Sequence, residues 1–361
     1  MKRVIVFLFL IAVGLGMVSA IDIKDGVVRI ATDDLTLRPM LYRLVNVAGK
    51  SKYEPLWYDG DPRTSFIVID IDGRIYRMGA SQEYQTTQRR ISNGIEIEYK
   101  SITTRVTQRI ICTALAGSRV ANGFTIELQV DNFTSRDMKV KLKEVCDTWL
   151  GEKLGNHFAL KSNPNVIDEM SIDANSNEPY IVSPGQNASI ALLLNTALGP
   201  DSIVIANWKR LSDSQFAYDS ELMRGFTLAP YSTNDSALGL YWDERIVPAK
   251  GTVSVESTWL TGGPGNEFVA WLAQNYTPPP AADTTATQGS STDQTAAPPG
   301  QSSSLPTSSA FDVSDIEAVL RKIDSALQNI DTLSEADMEA ILSELNSLGG
   351  AANSSTGSST K

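Results

Sequence analysis

From residue 21 to about residue 259, apolar and polar positions alternate with a period of two. Ile95, Ile97 and Tyr99 alternate with Glu96, Glu98 and Lys100. Phe124, Ile126, Leu128 and Val130 alternate with Thr125, Glu127, Gln129 and Asp131, and Met138, Val140 and Leu142 with Lys139, Lys141 and Lys143. This pattern turns one face of a strand to a core and the other to water, as antiparallel sheets do. Asp72-Gly73 sits between two such runs and predicts a two-residue hairpin, because a type I′ turn needs positive φ at both central positions. Further strand-like runs follow at 189–194, 202–206, 237–241 and 252–259. The pattern predicts a mainly β chain folded as an antiparallel two-sheet sandwich or supersandwich over residues 21–276.

The pattern changes at both ends. Residues 1–20 carry Lys2 and Arg3, then an apolar run too short to span a bilayer, then Val18-Ser19-Ala20. That is the layout of a cleaved signal peptide, which places the mature chain outside the cytoplasm, periplasmic or secreted, with no transmembrane segment left after cleavage. Residues 277–310 are rich in Pro, Ser, Thr, Gln and Ala and hold one large apolar residue, Leu305. Such a segment cannot bury enough surface to offset its chain entropy and reads as a disordered linker, about 110 Å long if fully extended.

Beyond the linker the period becomes helical. Ser314 and Glu317 form a capping box, and Ile316, Val319, Leu320, Ile323, Leu327 and Ile330 follow at i, i+3, i+4 spacing. Ile341, Leu342, Leu345 and Leu348 make a second stripe that Gly349-Gly350 stops. Residues 311–350 are thus expected to form a short amphipathic helical hairpin, with a disordered tail at 351–361. Two helices this short cannot bury both stripes alone. Ile316, Leu320, Ile323, Leu327, Ile341 and Leu345 are therefore expected to dock on a protein partner or on another copy of the chain.

Charge narrows the chemistry. The 361 residues carry a formal net charge of −11, concentrated towards the C-terminus, which argues against nucleic acid as a partner. One histidine, His157, and two cysteines exclude most His-rich metal sites and any four-cysteine zinc site. No phosphate-binding glycine loop or nucleotide fingerprint is present, and no cofactor or metal is expected. Asp59 and Asp61, and Asp70 and Asp72, have a spacing seen in calcium loops, but each pair has a simpler explanation as a turn. Cys112 and Cys146 share strand parity with inward-facing residues. On neighbouring strands in an oxidising compartment they would form a disulfide that stabilises by about 3–4 kcal/mol, the alternative being two separate buried thiols.

The stretch least like its surroundings is 146–160, CDTWLGEKLGNHFAL. It gathers Asp147, Trp149, Glu152, Asn156 and His157 beside two glycines. An acid, an amide, an imidazole and an aromatic ring are what a sugar-binding loop presents. The plainer alternative is a strand end whose Asp caps backbone amides and whose Trp fills the core. No serine lies in a nucleophile-elbow motif, and no residue is assigned a catalytic role.

The run GFTIELQVDNFTSRDMKVKLKEVCDTWLG, with NHF just after it, resembles a hairpin followed by D-T-x-L-G in uncharacterised bacterial exported β-sandwich proteins. The many-stranded plan is similar to the galactose-mutarotase-type supersandwich of carbohydrate-active proteins. That resemblance implies two histidines and a glutamate base, and a chain with His157 alone departs from it. Three functions remain open. The first is a non-enzymatic exported binding or adaptor protein, its sandwich engaging a surface component such as carbohydrate and its acidic tail a protein. The second is a carbohydrate-active enzyme of mutarotase-like fold. The third is a structural envelope or filament component.

Overall fold

The computed structural model describes residues 20–278, except 174–175, 195, 221–223 and 228–233. The expected leader, the linker beyond residue 278, the helical hairpin with its Ile316, Leu320, Ile323, Leu327, Ile341 and Leu345 stripe, and the tail lie outside the described residues. No helix among the described residues is long and apolar enough to cross a membrane.

The chain opens with β1 (Asp22–Asp25), β2 (Val28–Thr32), β3 (Pro39–Val47) and β4 (Lys50–Pro55). Next come β5 (Phe66–Ile71), β6 (Arg74–Arg77), β7 (Gln85–Ile91), β8 (Gly94–Lys100) and β9 (Thr104–Thr113). Then follow β10 (Gly123–Asn132), β11 (Met138–Cys146), β12 (Ala159–Leu160), β13 (Met170–Asp173), β14 (Tyr180–Ser183) and β15 (Ser189–Leu193). The described chain closes with β16 (Ser202–Asn207), helix α1 (Trp208–Asp213), β17 (Ser236–Val247), β18 (Thr252–Gly262) and helix α2 (Gly265–Asn275).

These strands form three antiparallel sheets. An eight-stranded sheet has the order β12-β14-β15-β18-β10-β9-β8-β7, and a six-stranded sheet the order β13-β16-β17-β11-β5-β6. β1 to β4 form a separate four-stranded meander that the period-two pattern did not distinguish from the other two. One apolar core draws on all three: Ile30 and Leu41 from the meander, Ile97, Ile110 and Phe124 from the eight-stranded sheet, and Ile69, Leu142 and Leu240 from the six-stranded one. The apolar half of the alternation is the core face, with Ile95, Ile97 and Tyr99 at most 1% exposed, while Glu96 on the other face is itself covered, at 7% exposed. Asp72 and Gly73 join β5 to β6 with φ of 50° and 84°, the predicted hairpin turn.

The main departure from expectation is at 133–137. β10 and β11 follow each other in sequence without pairing: β10 lies between β9 and β18, and β11 between β5 and β17. The short connection crosses from one sheet to the other instead of closing a hairpin. Buried Asn132 holds the crossing, its Nδ2 donating to the carbonyls of Arg136 (2.8 Å), Val247 (3.1 Å) and Pro248 (3.0 Å).

That crossing also corrects the disulfide. Cys112 on β9 and Cys146 on β11 belong to different sheets and are free, buried thiols. Inward parity was right for both, but the neighbouring-strand premise was not. Burial pushes the Cys112 thiol up to about 12 and Cys146 well above its ordinary value.

Each large sheet has part of its outer face covered by a helix. α1 packs on the six-stranded sheet over Phe66, Val145 and Tyr241 through Leu211. α2 packs on the eight-stranded sheet over Tyr180, Val182 and Leu193 through Phe268 and Leu272. Under α1 lies Lys143, which the alternation assigns to water and the structure buries completely. Its Nζ donates to the carbonyls of Leu211 (2.7 Å), Ser214 (2.7 Å) and Gln215 (3.0 Å), closing the C-terminal end of α1. Burial lowers its pKa to about 8.

Candidate functional site

Three central strands of the six-stranded sheet end together: β11 at its C-terminus, and β5 and β17 at their N-termini. The chain enters or leaves at this end through loops, and the 146–160 segment is one of them. Ser65 Oγ accepts from the backbone N–H of Asp147 at 3.0 Å, and the Asp147 carbonyl accepts from Tyr58 N–H at 2.8 Å. These bonds seat Asp147 against the entry to β5. Gly151 lets the loop fold back on itself, since a Cβ there would lie 2.1 Å from the Asn156 carbonyl oxygen.

Carboxylate oxygens of Asp147, Glu152 and Asp235 all lie within 4.8 Å of one another. Asp147 is 5% exposed. Burial raises its carboxyl to about 7, Thr64 opposes the shift, and the neighbouring charge of Asp235 adds to it. Burial also raises Asp235. Among the described residues this is the one group of three or more acidic, His or Cys side chains close enough to share a cation. Three carboxylates hold six oxygens between them, so calcium, which takes six to eight, would need all of them bidentate or further ligands beside them. They would equally accept hydrogen bonds from hydroxyl groups.

His157 stands beside this cluster. Its Nδ1 is 2.7 Å from Ser236 Oγ, and Ser236 N–H donates to Glu152 Oε1 at 2.8 Å. Its ring lies 4.6 Å from that of Phe226, and burial lowers its pKa, so at neutral pH it is an uncharged imidazole. Trp149 is half-buried and meets the exposed Tyr58 edge to face, with ring centroids 5.9 Å apart. Its φ is +36°, a conformation that a bulky residue adopts only when its surroundings hold it there.

Of the sequence-predicted residues, Asp147, Trp149 and His157 meet at this end of the sheet. Asn156 turns away, its Nδ2 donating to the Pro164 carbonyl at 3.2 Å. Asp235 and Ser236 were missed, because they lie some eighty positions further on in NDSALGL, a stretch with no motif of its own. The D-x-D pairs behave as turns: Asp61 caps Arg63 N–H at 3.0 Å and pairs with the Arg63 guanidinium, while Asp70 accepts from Gly73 N–H at 2.8 Å.

No family model matches the sequence, and no curated protein matches it. Solved structures similar to the chain include a galactose mutarotase-like protein from Lactobacillus casei, at 9% identity and a TM-score of 0.42, covering 68% of this chain and 100% of its own. A galactose mutarotase-like protein from Clostridium acetobutylicum covers 68% of this chain and 95% of its own, at 8% identity and a TM-score of 0.36. An α-N-acetylgalactosaminidase from Bifidobacterium bifidum covers 70% of this chain and 38% of its own, at 8% identity and a TM-score of 0.37.

Proposed function

We propose that the chain is an exported, non-enzymatic binding protein whose sandwich holds a hydroxyl-rich ligand, a carbohydrate, at the carboxylate end of the six-stranded sheet. The acidic 311–350 segment docks on a protein partner. The observation that carries the sandwich part is the convergence of Asp147, Glu152 and Asp235 within 4.8 Å, beside the Trp149–Tyr58 ring pair. Carboxylates accept hydrogen bonds from sugar hydroxyls, and aromatic rings cover the C–H face of a pyranose. Calorimetric titration of the full chain with neutral mono- and oligosaccharides tests it. At least one sugar is expected to bind, with Glu152→Gln and Trp149→Ala each weakening it about tenfold. No heat from any sugar, or affinity unchanged in both variants, would overturn the proposal.

One observation favours a second reading, a carbohydrate-active enzyme. Asp147, held near pH 7, has the protonation of a general acid next to other carboxylates. On this reading the bound sugar turns over and Asp147→Asn abolishes turnover. On the binding reading the sugar is recovered unchanged.

A further inference from the structure

A second site lies away from the carboxylate cluster, where β3, the end of β18 and α2 meet. A groove of about 350 Å³ is lined there by Arg43, Asn122, Thr261, Gly263, Glu267 and Trp271, among others. That volume suits a ligand of one or two sugar rings.

Arg43 is half-buried and carries no ion pair among the described residues. Its Nη1 donates to the Thr261 carbonyl (3.0 Å) and to Thr261 Oγ1 (2.6 Å). Thr261 is itself fixed, its N–H and Oγ1 both bonded to the Asn122 carbonyl. The guanidinium is therefore held in place by neutral acceptors. Its Nε and Nη2 hydrogens have no partner among the described residues, although a guanidinium has five donors to satisfy. Burial lowers its pKa, and Glu54, its cross-strand partner on β4, is engaged by Lys52 (3.1 Å) and Asn187 (3.1 Å) instead. A partly desolvated, pre-oriented guanidinium with a free donor edge fits a planar carboxylate.

The opposite rim supplies an aromatic ring. Trp271 is 40% exposed and stacks on Phe268, with ring planes 13° apart. Phe268 is anchored in the core under α2, and Gly262 makes room for it: a Cβ at 262 would lie 2.0 Å from the Phe268 ring. The glycine thus lets α2 descend onto the end of β18 and carry Trp271 to the groove. Glu267 adds an exposed acceptor on the same rim. It suits hydroxyl donors and disfavours a ligand with several negative charges.

We infer that this groove binds a carboxylated sugar, a uronic acid unit of an acidic polysaccharide, with Arg43 on the carboxylate, Trp271 against the ring and Glu267 on hydroxyls. The inference does not rest on the neutral-sugar site, which shares none of these residues. The full chain would be titrated with galacturonic acid oligomers, with uncharged galactose oligomers as control and with a synthetic peptide of residues 311–350 as competitor. Acidic oligomers are expected to bind more tightly than neutral ones. Arg43→Gln and Trp271→Ala should each weaken the acidic oligomers about tenfold or more and leave any neutral-sugar affinity unchanged. Trp271 is exposed on a helix, so its variant decides the matter if the Arg43 variant unfolds. Equal affinity for acidic and neutral oligomers, no binding of the acidic ones, or unchanged affinity in the Trp271 variant would overturn the inference. Tighter binding of the peptide than of the sugar would do so too, by making the groove a peptide site.

Discussion

Two sets of carboxylates on this molecule sit in opposite electrostatic settings. On the outer face of the eight-stranded sheet, over β7 to β10, every close acid has an arginine. Glu96 accepts from Arg89 Nε at 2.6 Å and from Arg109 Nε at 2.8 Å, and Asp131 accepts from Arg105 Nε at 2.6 Å. The Arg89 bond leads those that hold Glu96 below the ordinary carboxylate range. Burial would raise Asp131, but Thr252, Gln129 and Arg105 together bring it down. At the end of the six-stranded sheet, Asp147, Glu152 and Asp235 face each other, and Asp147 and Asp235 are raised. The lesson is that acid content does not mark a site. Acids gathered mainly with one another, as at the end of the six-stranded sheet, are raised by burial and by each other's charge, whereas those over β7 to β10 are held down by arginines.

The largest effect expected from this contrast is on stability against pH. Asp147 titrates near 7 in the folded chain against an ordinary 3.8, so the native state holds a proton that the unfolded chain has released. Stability should therefore be full below about pH 4 on this account and fall as pH rises towards 7, by up to roughly 4 kcal/mol for this group. Buried Glu144, raised to about 7 with only a 3.5 Å bond from Ser257, acts in the same direction. Urea unfolding of Asp147→Asn at pH 5 and pH 8 should show roughly half the difference that the parent chain shows, Glu144 supplying the rest. An equal difference would break the contrast.

A smaller effect is expected at the ladder, with the opposite sign. Glu96→Gln should lower stability by about 1 kcal/mol at pH 7. That loss should vanish as pH falls through the depressed pKa, where the parent carboxyl also becomes neutral. Chemical denaturation at pH 7 and pH 3 checks it. Smallest of all should be salt: raising NaCl from 0.1 M to 1 M cuts the screening length from about 10 Å to 3 Å. It should weaken the ladder, whose arginines are partly exposed, by about a few tenths of a kcal/mol and leave the pH dependence set by Asp147 almost intact. Thermal melts of the parent and the Glu96 variant at both salt concentrations measure the difference.

Much of the strand layout was legible. The alternations at Ile95–Tyr99 and Phe124–Val130 gave strand existence and inward faces, and Asp72-Gly73 marked its hairpin, because these signals act between residues a few positions apart. The 146–160 loop stood out for the same reason, and with it Asp147, Trp149 and His157. Asp235 and Ser236 did not, because nothing local distinguishes them and only the pairing of β17 with β11 brings them to Asp147. The Arg43 groove was also invisible, since β18 and α2 meet there with β3, Arg43 and Thr261 being 218 positions apart in the chain.

By itself, then, the sequence determined which segments extend, which faces are apolar and where composition turns against burial, since each follows from side-chain period and local turn chemistry. Tertiary structure alone decided which strands are neighbours. It sent β10 and β11 to different sheets and so left Cys112 and Cys146 as separate thiols. It laid α1 over a strand face that reads as solvated, and so buried Lys143 among carbonyl groups. It also gathered one set of acids among arginines and another, Asp147, Glu152 and Asp235, next to one another. The physical reason is the same in each case: alternation tells a side chain which face of its strand it occupies, but what covers that face depends on long-range pairing.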